Sequence, residues 1–148
     1  MISLIAVGSV YNDDAISWRV LQYLEPALRQ LTENIELVYC DSPAGQLLAQ
    51  LQSSNRVILL DALLSDQEPG VLVALQPDQL MQSETSLSSH HLSVASILQL
   101  ANKLGGLPEQ LWLFGITIDA TSIMPEQQLQ QVAEQFLQQV RGIVSTVF

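Results

Sequence analysis

Short, mostly apolar segments alternate along this chain with segments whose apolar residues recur at helical spacing, and this alternation limits the fold more than any other feature. The apolar segments are 2–7, 35–40, 56–60 and 111–116. Each is predicted to be a strand, and the first has the length and composition of a strand buried on both faces. Strands that alternate with helices are typical of a parallel sheet covered by helices on both sides, because right-handed crossovers place the helices there.

The segments between these strands predict four helices and one further strand. The helices are predicted from Asp13 through Leu31 with Pro26 expected to kink or restart the helix, over 44–51, over 93–104, and from Pro125 onward. Residues 71–75 form a candidate strand that follows its neighbour too closely for a helical crossover, which favours antiparallel pairing. We therefore predict an α/β fold: one domain over residues 1–148, a three-layer α/β/α sandwich around a mostly parallel, twisted, five-stranded sheet.

Composition excludes several classes of function. Fifteen acidic residues against five basic ones give a net charge of −10, which argues against nucleic acid as a partner, because Lys and Arg dominate binding to phosphates. Cys40 is the single cysteine, so no disulfide forms within the chain, and we expect a reducing, cytoplasmic compartment. The first apolar run ends at Gly8, too early for a signal peptide or a membrane span. No phosphate-binding glycine motif occurs, and we expect no organic cofactor. A Gly-x-Ser-x-Gly nucleophile turn is also missing from the sequence. We expect the protein to be a monomer.

Acidic residues follow three of the predicted strands. Asp13 and Asp14 come after the first, Asp41 after the second and Asp61 after the third. The carboxyl ends of parallel strands meet at one edge of a sheet, where ligands usually bind. Taken alone, Asp13 or Asp14 is readily explained as a helix cap and needs no role in ligand binding. Asp61 is harder to explain in that way, because a carboxylate that ends a fully apolar strand is costly to bury without a partner.

His90 and His91 are the two histidines of the chain, and they precede the predicted helix at Ser93. Two carboxylates and an imidazole make an open site that suits nickel, zinc or iron. Adjacent histidines at a helix start are equally compatible with a solvated surface. A phospho-accepting receiver domain would also explain the acids, but it needs a lysine after its fifth strand, and the one lysine, Lys103, lies in a helix before the last strand.

Several motifs occur in an order that is informative as a whole. They are Val7-Gly8, Asp13-Asp14-Ala15-Ile16, Asp41-Ser42-Pro43-Ala44-Gly45, Val57-Ile58-Leu59-Leu60-Asp61-Ala62 and Ser88-Ser89-His90-His91-Leu92. Taken together they resemble the hydrogenase maturation protease family, over nearly the whole chain. Matching the motifs residue by residue places two metal-contacting carboxylates on Asp14 and Asp61 and the imidazole on His90, with His91 as the alternative.

The resemblance implies an endopeptidase that removes the C-terminal extension of a [NiFe]-hydrogenase large-subunit precursor. It implies that Asp14, Asp61 and His90 recognise nickel that the substrate supplies, and it leaves the catalytic base unassigned. The turn from Gly8 to Asn12 is about two residues shorter than expected for the family and lacks its second glycine. A catalytically inactive relative that binds the precursor as a module or chaperone is therefore the alternative.

Overall fold

The computed structural model describes residues 1–8, 15–41, 46–64, 68–78, 94–119 and 122–148. These residues form five strands and four helices. In chain order they are β1 Ile2–Val7, α1 Ile16–Leu31, β2 Ile35–Cys40, α2 Leu48–Ser53, β3 Arg56–Leu64, β4 Leu72–Leu75, α3 Val94–Leu104, β5 Gln110–Ile118 and α4 Glu126–Val147.

The strands form one sheet in the order β2-β1-β3-β5-β4. β2, β1, β3 and β5 run parallel, and β4 pairs antiparallel with β5. The predicted fold class is confirmed, including the antiparallel strand. The edge strand is antiparallel because only the short segment between Leu64 and Leu72 joins it to β3, too few residues for a crossover helix.

Helices cover both faces of the sheet. Side chains of neighbouring strand residues point to opposite faces, so each strand contributes to both packed layers. On one face, Ile58, Leu60 and Ala62 of β3 belong to a buried cluster with the apolar sides of α1 and α4. On the other, Val57 and Leu59 belong to a second cluster with α2 and α3. The two clusters make the core of a three-layer sandwich.

The predicted element bounds hold in part. α1 continues through Pro26 from Ile16 to Leu31, so the restart expected at this proline does not occur. The predicted starts of the next two helices, at Ala44 and Ser93, lie outside the described residues. Pro125 is the N-cap of α4, as expected for a residue whose fixed φ suits a helix start. None of the described helices is both long and apolar enough to cross a bilayer.

β3 is longer than predicted. The apolar run was expected to end at Leu60, but the strand continues to Leu64, because β5 pairs with it through Leu64 and Ile118. Asp61 is therefore inside a strand and not directly after one. The prediction of its position was wrong in this detail. The position of Asp61 inside β3 determines the geometry of the site.

Candidate functional site

Asp61 is a buried carboxylate on a central strand. Its exposure is 5%, and the other buried polar side chains among the described residues are the hydroxyls of Ser3, Ser17 and Thr117. A buried acid is costly unless hydrogen bonds or opposite charge compensate it. Asp61 is thus the only buried carboxylate among the described residues.

The side chain of Asp61 is hydrogen-bonded to the backbone of the next residue in the strand. Its Oδ1 accepts a hydrogen bond of 2.8 Å from the backbone N–H of Ala62. Alternation along β3 places its side chain on the same face as Val57 and Leu59, which is the face that α2 and α3 cover. The carboxylate is therefore held against a rigid strand on the side where α3 packs.

The position of Asp61 along the strand is also special. β1 pairs with β3 from Ser3 and Val57 up to Ala6 and Leu60, and Asp61 is the next residue. The sheet order places β2 on one side of β1 and β3 on the other, so the connections diverge at this point. Open parallel sheets bind their ligands at such a switch point, outside the carboxyl ends of the strands.

The residues on either side of 9–14 are anchored at the same edge. The backbone N–H of Gly8 donates to the carbonyl of Cys40 at 2.9 Å. The indole Nε1 of Trp18, on the first turn of α1, donates to the carbonyls of Ala6 at 3.1 Å and Cys40 at 3.2 Å. The start of α1 is therefore tied to the last residues of β1 and β2, next to the connection that contains Asp13 and Asp14.

Tyr39 packs against Trp18 and so supports the start of α1. Its ring meets that of Trp18 edge to face, with centroids 6.3 Å apart, and its hydroxyl donates to Oε2 of Glu25 at 3.1 Å. Burial, and then this hydrogen bond, raise the pKa of Tyr39 to about 12. Glu25 also accepts from Arg29 at 2.8 Å, and this bond, together with the one from Tyr39, lowers the pKa of Glu25.

The other predicted site residues are only partly placed. Asp13, Asp14, His90 and His91 lie outside the described residues, so their convergence on Asp61 stays a prediction. No group of three His, Cys, Asp or Glu side chains in the described part of the chain is arranged to hold a metal. Asp41 follows β2 and is exposed.

Cys40 lies in the core, with no exposed surface. Its backbone carbonyl, however, joins β1, β2 and α1 through Gly8 and Trp18, a role that the sequence did not indicate. From sequence, a tryptophan in the first turn of an amphipathic helix indicates only core packing. A backbone carbonyl that accepts its hydrogen bond cannot be identified from residue types. The register of β1 and β2 is needed to recognise this anchor.

A family model described as hydrogenase maturation protease matches residues 19–145. The matched range includes Asp61, His90 and His91, and it begins after Asp14. The hydrogenase 2 maturation protease of Escherichia coli strain K12 is 26% identical over 118 residues, which cover 78% of this chain and 71% of that protein.

Solved structures give the same match. The hydrogenase maturating endopeptidase HybD from E. coli has a TM-score of 0.67 at 25% identity, over 95% of this chain and 92% of that one. An endopeptidase from Escherichia coli, solved in solution, has a TM-score of 0.70 at 27% identity, over 94% and 88% of the two chains. The fold and the sequence therefore lead to the same group of proteins.

Proposed function

The chain belongs to the hydrogenase maturation protease family, and from this premise we propose that it removes the C-terminal extension of a nickel-loaded [NiFe]-hydrogenase large-subunit precursor. The nickel belongs to the substrate. We further propose that Asp14, Asp61 and His90 contact this nickel and so place the extension for cleavage.

The observation that supports the proposal best is the burial of Asp61. A carboxylate at 5% exposure, held on a central strand where β1 ends, is positioned before any substrate arrives. Oxygen and nitrogen donors with open coordination positions suit nickel. A ligand that a rigid strand orients loses little freedom when the metal binds, which favours recognition of a metal in one fixed place.

Dependence on the substrate's nickel would make cleavage conditional on metal loading. A precursor without nickel offers Asp61, Asp14 and His90 nothing to coordinate, so its extension is not held for attack. Bound nickel can polarise the scissile carbonyl or an attacking water. The one cysteine of the chain, Cys40, is fully buried in the core, which removes a thiol from consideration as the nucleophile.

The central test compares nickel-loaded with nickel-free precursor. Each is incubated with the protein, and the mass of the large subunit is followed over time. We expect loss of the C-terminal extension only from the nickel-loaded form. Equal cleavage of both forms would contradict recognition of the metal. Tight binding of the loaded form without cleavage would instead establish the binding module as the function.

Neighbouring residues of the same type provide controls for the two ligands outside the described part of the fold. Asp14→Ala is compared with Asp13→Ala, and His90→Ala with His91→Ala. We expect Asp14→Ala and His90→Ala to abolish processing of the loaded precursor, while Asp13→Ala and His91→Ala retain it. The reverse result within either pair would move the ligand to the adjacent residue, and normal processing by both members would remove that ligand from the site.

A further inference from the structure

We infer that Gly115 is a positioning residue for the site at Asp61: it gives the side chain of Leu63 a place over β5 and thereby keeps it away from the Asp61 carboxylate. This inference rests on the proposed function, because the space so preserved is where the substrate's metal and extension would meet Asp61.

Gly115 lies directly beside Asp61 in the sheet. The two residues are register partners on β3 and β5, and Gly115 is in turn opposite Val73 of β4. A Cβ atom at position 115 would lie 2.2 Å from Cδ1 and 2.4 Å from Cγ of Leu63. These separations are far below van der Waals contact. The side chain of Leu63 thus occupies the volume that any other residue at position 115 would fill.

The backbone does not explain the glycine. Positive φ angles occur at Gly70 and Gly106 among the described residues, whereas Gly115 has the conformation of an ordinary strand residue. Glycine in a strand interior weakens the strand and often marks a close approach by another group. Here the approaching group is the side chain of Leu63.

The direction in which Leu63 would move follows from the sheet. Leu63 lies two residues beyond Asp61 and on the same face, with β5 on one side. On the other side, the pairing of β1 with β3 runs only as far as Leu60, so Leu63 lies beyond it. A side chain at position 115 would push Leu63 away from β5, toward the end of β1 and across the approach to Asp61.

The inference is tested with Gly115→Ala, Leu63→Ala and the double variant that carries both changes. Gly142→Ala is the matched glycine control, because a Cβ there meets nothing within 4 Å. The rate of extension release is measured over a range of nickel-loaded precursor concentrations, below the melting temperature of every variant. We expect Gly115→Ala to raise KM by at least about tenfold with kcat within about threefold, since a displaced Leu63 would obstruct binding of the precursor without altering the groups that react.

The double variant should return KM to within about threefold of wild type, because alanine at position 63 has no Cγ or Cδ atoms to displace. Gly142→Ala should match wild type. A merely structural role for Gly115 would lower the melting temperature and leave KM unchanged. Normal KM in Gly115→Ala, or a double variant no better than Gly115→Ala, would overturn the inference while leaving the proposed function intact. A wild-type chain that neither binds nor cuts the loaded precursor would overturn the proposed function itself, and this inference with it.

Discussion

Replacing Asp61 by asparagine or by alanine separates its structural contribution from its functional one. Alanine removes the Oδ1 acceptor of the 2.8 Å bond from Ala62, and Ala62 is fully buried. Leaving a buried backbone donor without a partner costs about 1–3 kcal/mol. At about 2–4 °C per kcal/mol for a chain of this size, the melting temperature should fall by about 2–12 °C. Asparagine keeps an oxygen at that position, so its loss should be smaller, within about 1 kcal/mol.

Both substitutions remove the negative charge, and both should lower the rate of precursor processing by at least about 100-fold. Melting temperatures and the release of the extension are measured on the same preparations. Asp41→Asn is the control, because Asp41 follows the neighbouring strand β2 but is exposed, and it should change the unfolding free energy by less than about 0.5 kcal/mol. Near-normal processing by Asp61→Asn would refute the role of the carboxylate. Equal destabilisation by asparagine and alanine would refute the role of the hydrogen bond.

Three further results are expected. Phe136→Ala should cost about 3–5 kcal/mol in unfolding free energy, measured by denaturant titration, because Phe136 is fully buried and packs edge to face with Phe114 at 5.5 Å; a cost below about 1 kcal/mol would contradict this packing. In a titration of phenolate absorbance, one tyrosine should ionise near pH 12, and Tyr39→Phe should remove that step. Because the raised pKa of Tyr39 lies above the usual value of 10, its contribution to stability is complete below pH 10 and is lost as the pH rises toward 12. Trp18→Phe keeps the ring contact but removes the donor to the Ala6 and Cys40 carbonyls, and the Cys40 carbonyl still accepts from Gly8, so the unfolding free energy should fall by about 0.5–1.5 kcal/mol; unchanged thermal stability would show that the indole N–H contributes nothing.

The fold could be predicted because burial pattern and chain connectivity specify it together. Segments such as 35–40 and 56–60 are short and mostly apolar, and the helices between them require right-handed crossovers, which leaves few arrangements of the sheet. The antiparallel strand followed from the length of one connection. The restart considered at Pro26 does not occur: a proline inside a helix costs about 3 kcal/mol or more, yet the packing of α1 against the sheet keeps that helix continuous.

The site was less predictable, for two physical reasons. Where a strand ends depends on its partner, and the apolar run ending at Leu60 did not show that β5 would extend β3 to Leu64. The role of Gly115 depends on a neighbour in space that lies more than fifty residues away in sequence. Asp61 was identified because a buried acid breaks the pattern of its own strand. The metal-contacting roles of Asp14, Asp61 and His90, together with the monomeric state and the cytoplasmic location, stay predictions.

The way in which the fold holds Asp61 bears on conditional cleavage. Asp61 lies on a central strand that pairs with β5, and its Oδ1 accepts from the backbone N–H of Ala62. The chain on either side of Asp14 is anchored at the strand ends by Gly8 and by Trp18, and nine residues separate these two anchors. A donor that the strand already orients loses little freedom when a metal binds. On the proposed function, an unloaded precursor therefore leaves Asp61 in place with no metal to coordinate, and cleavage waits for the substrate's nickel.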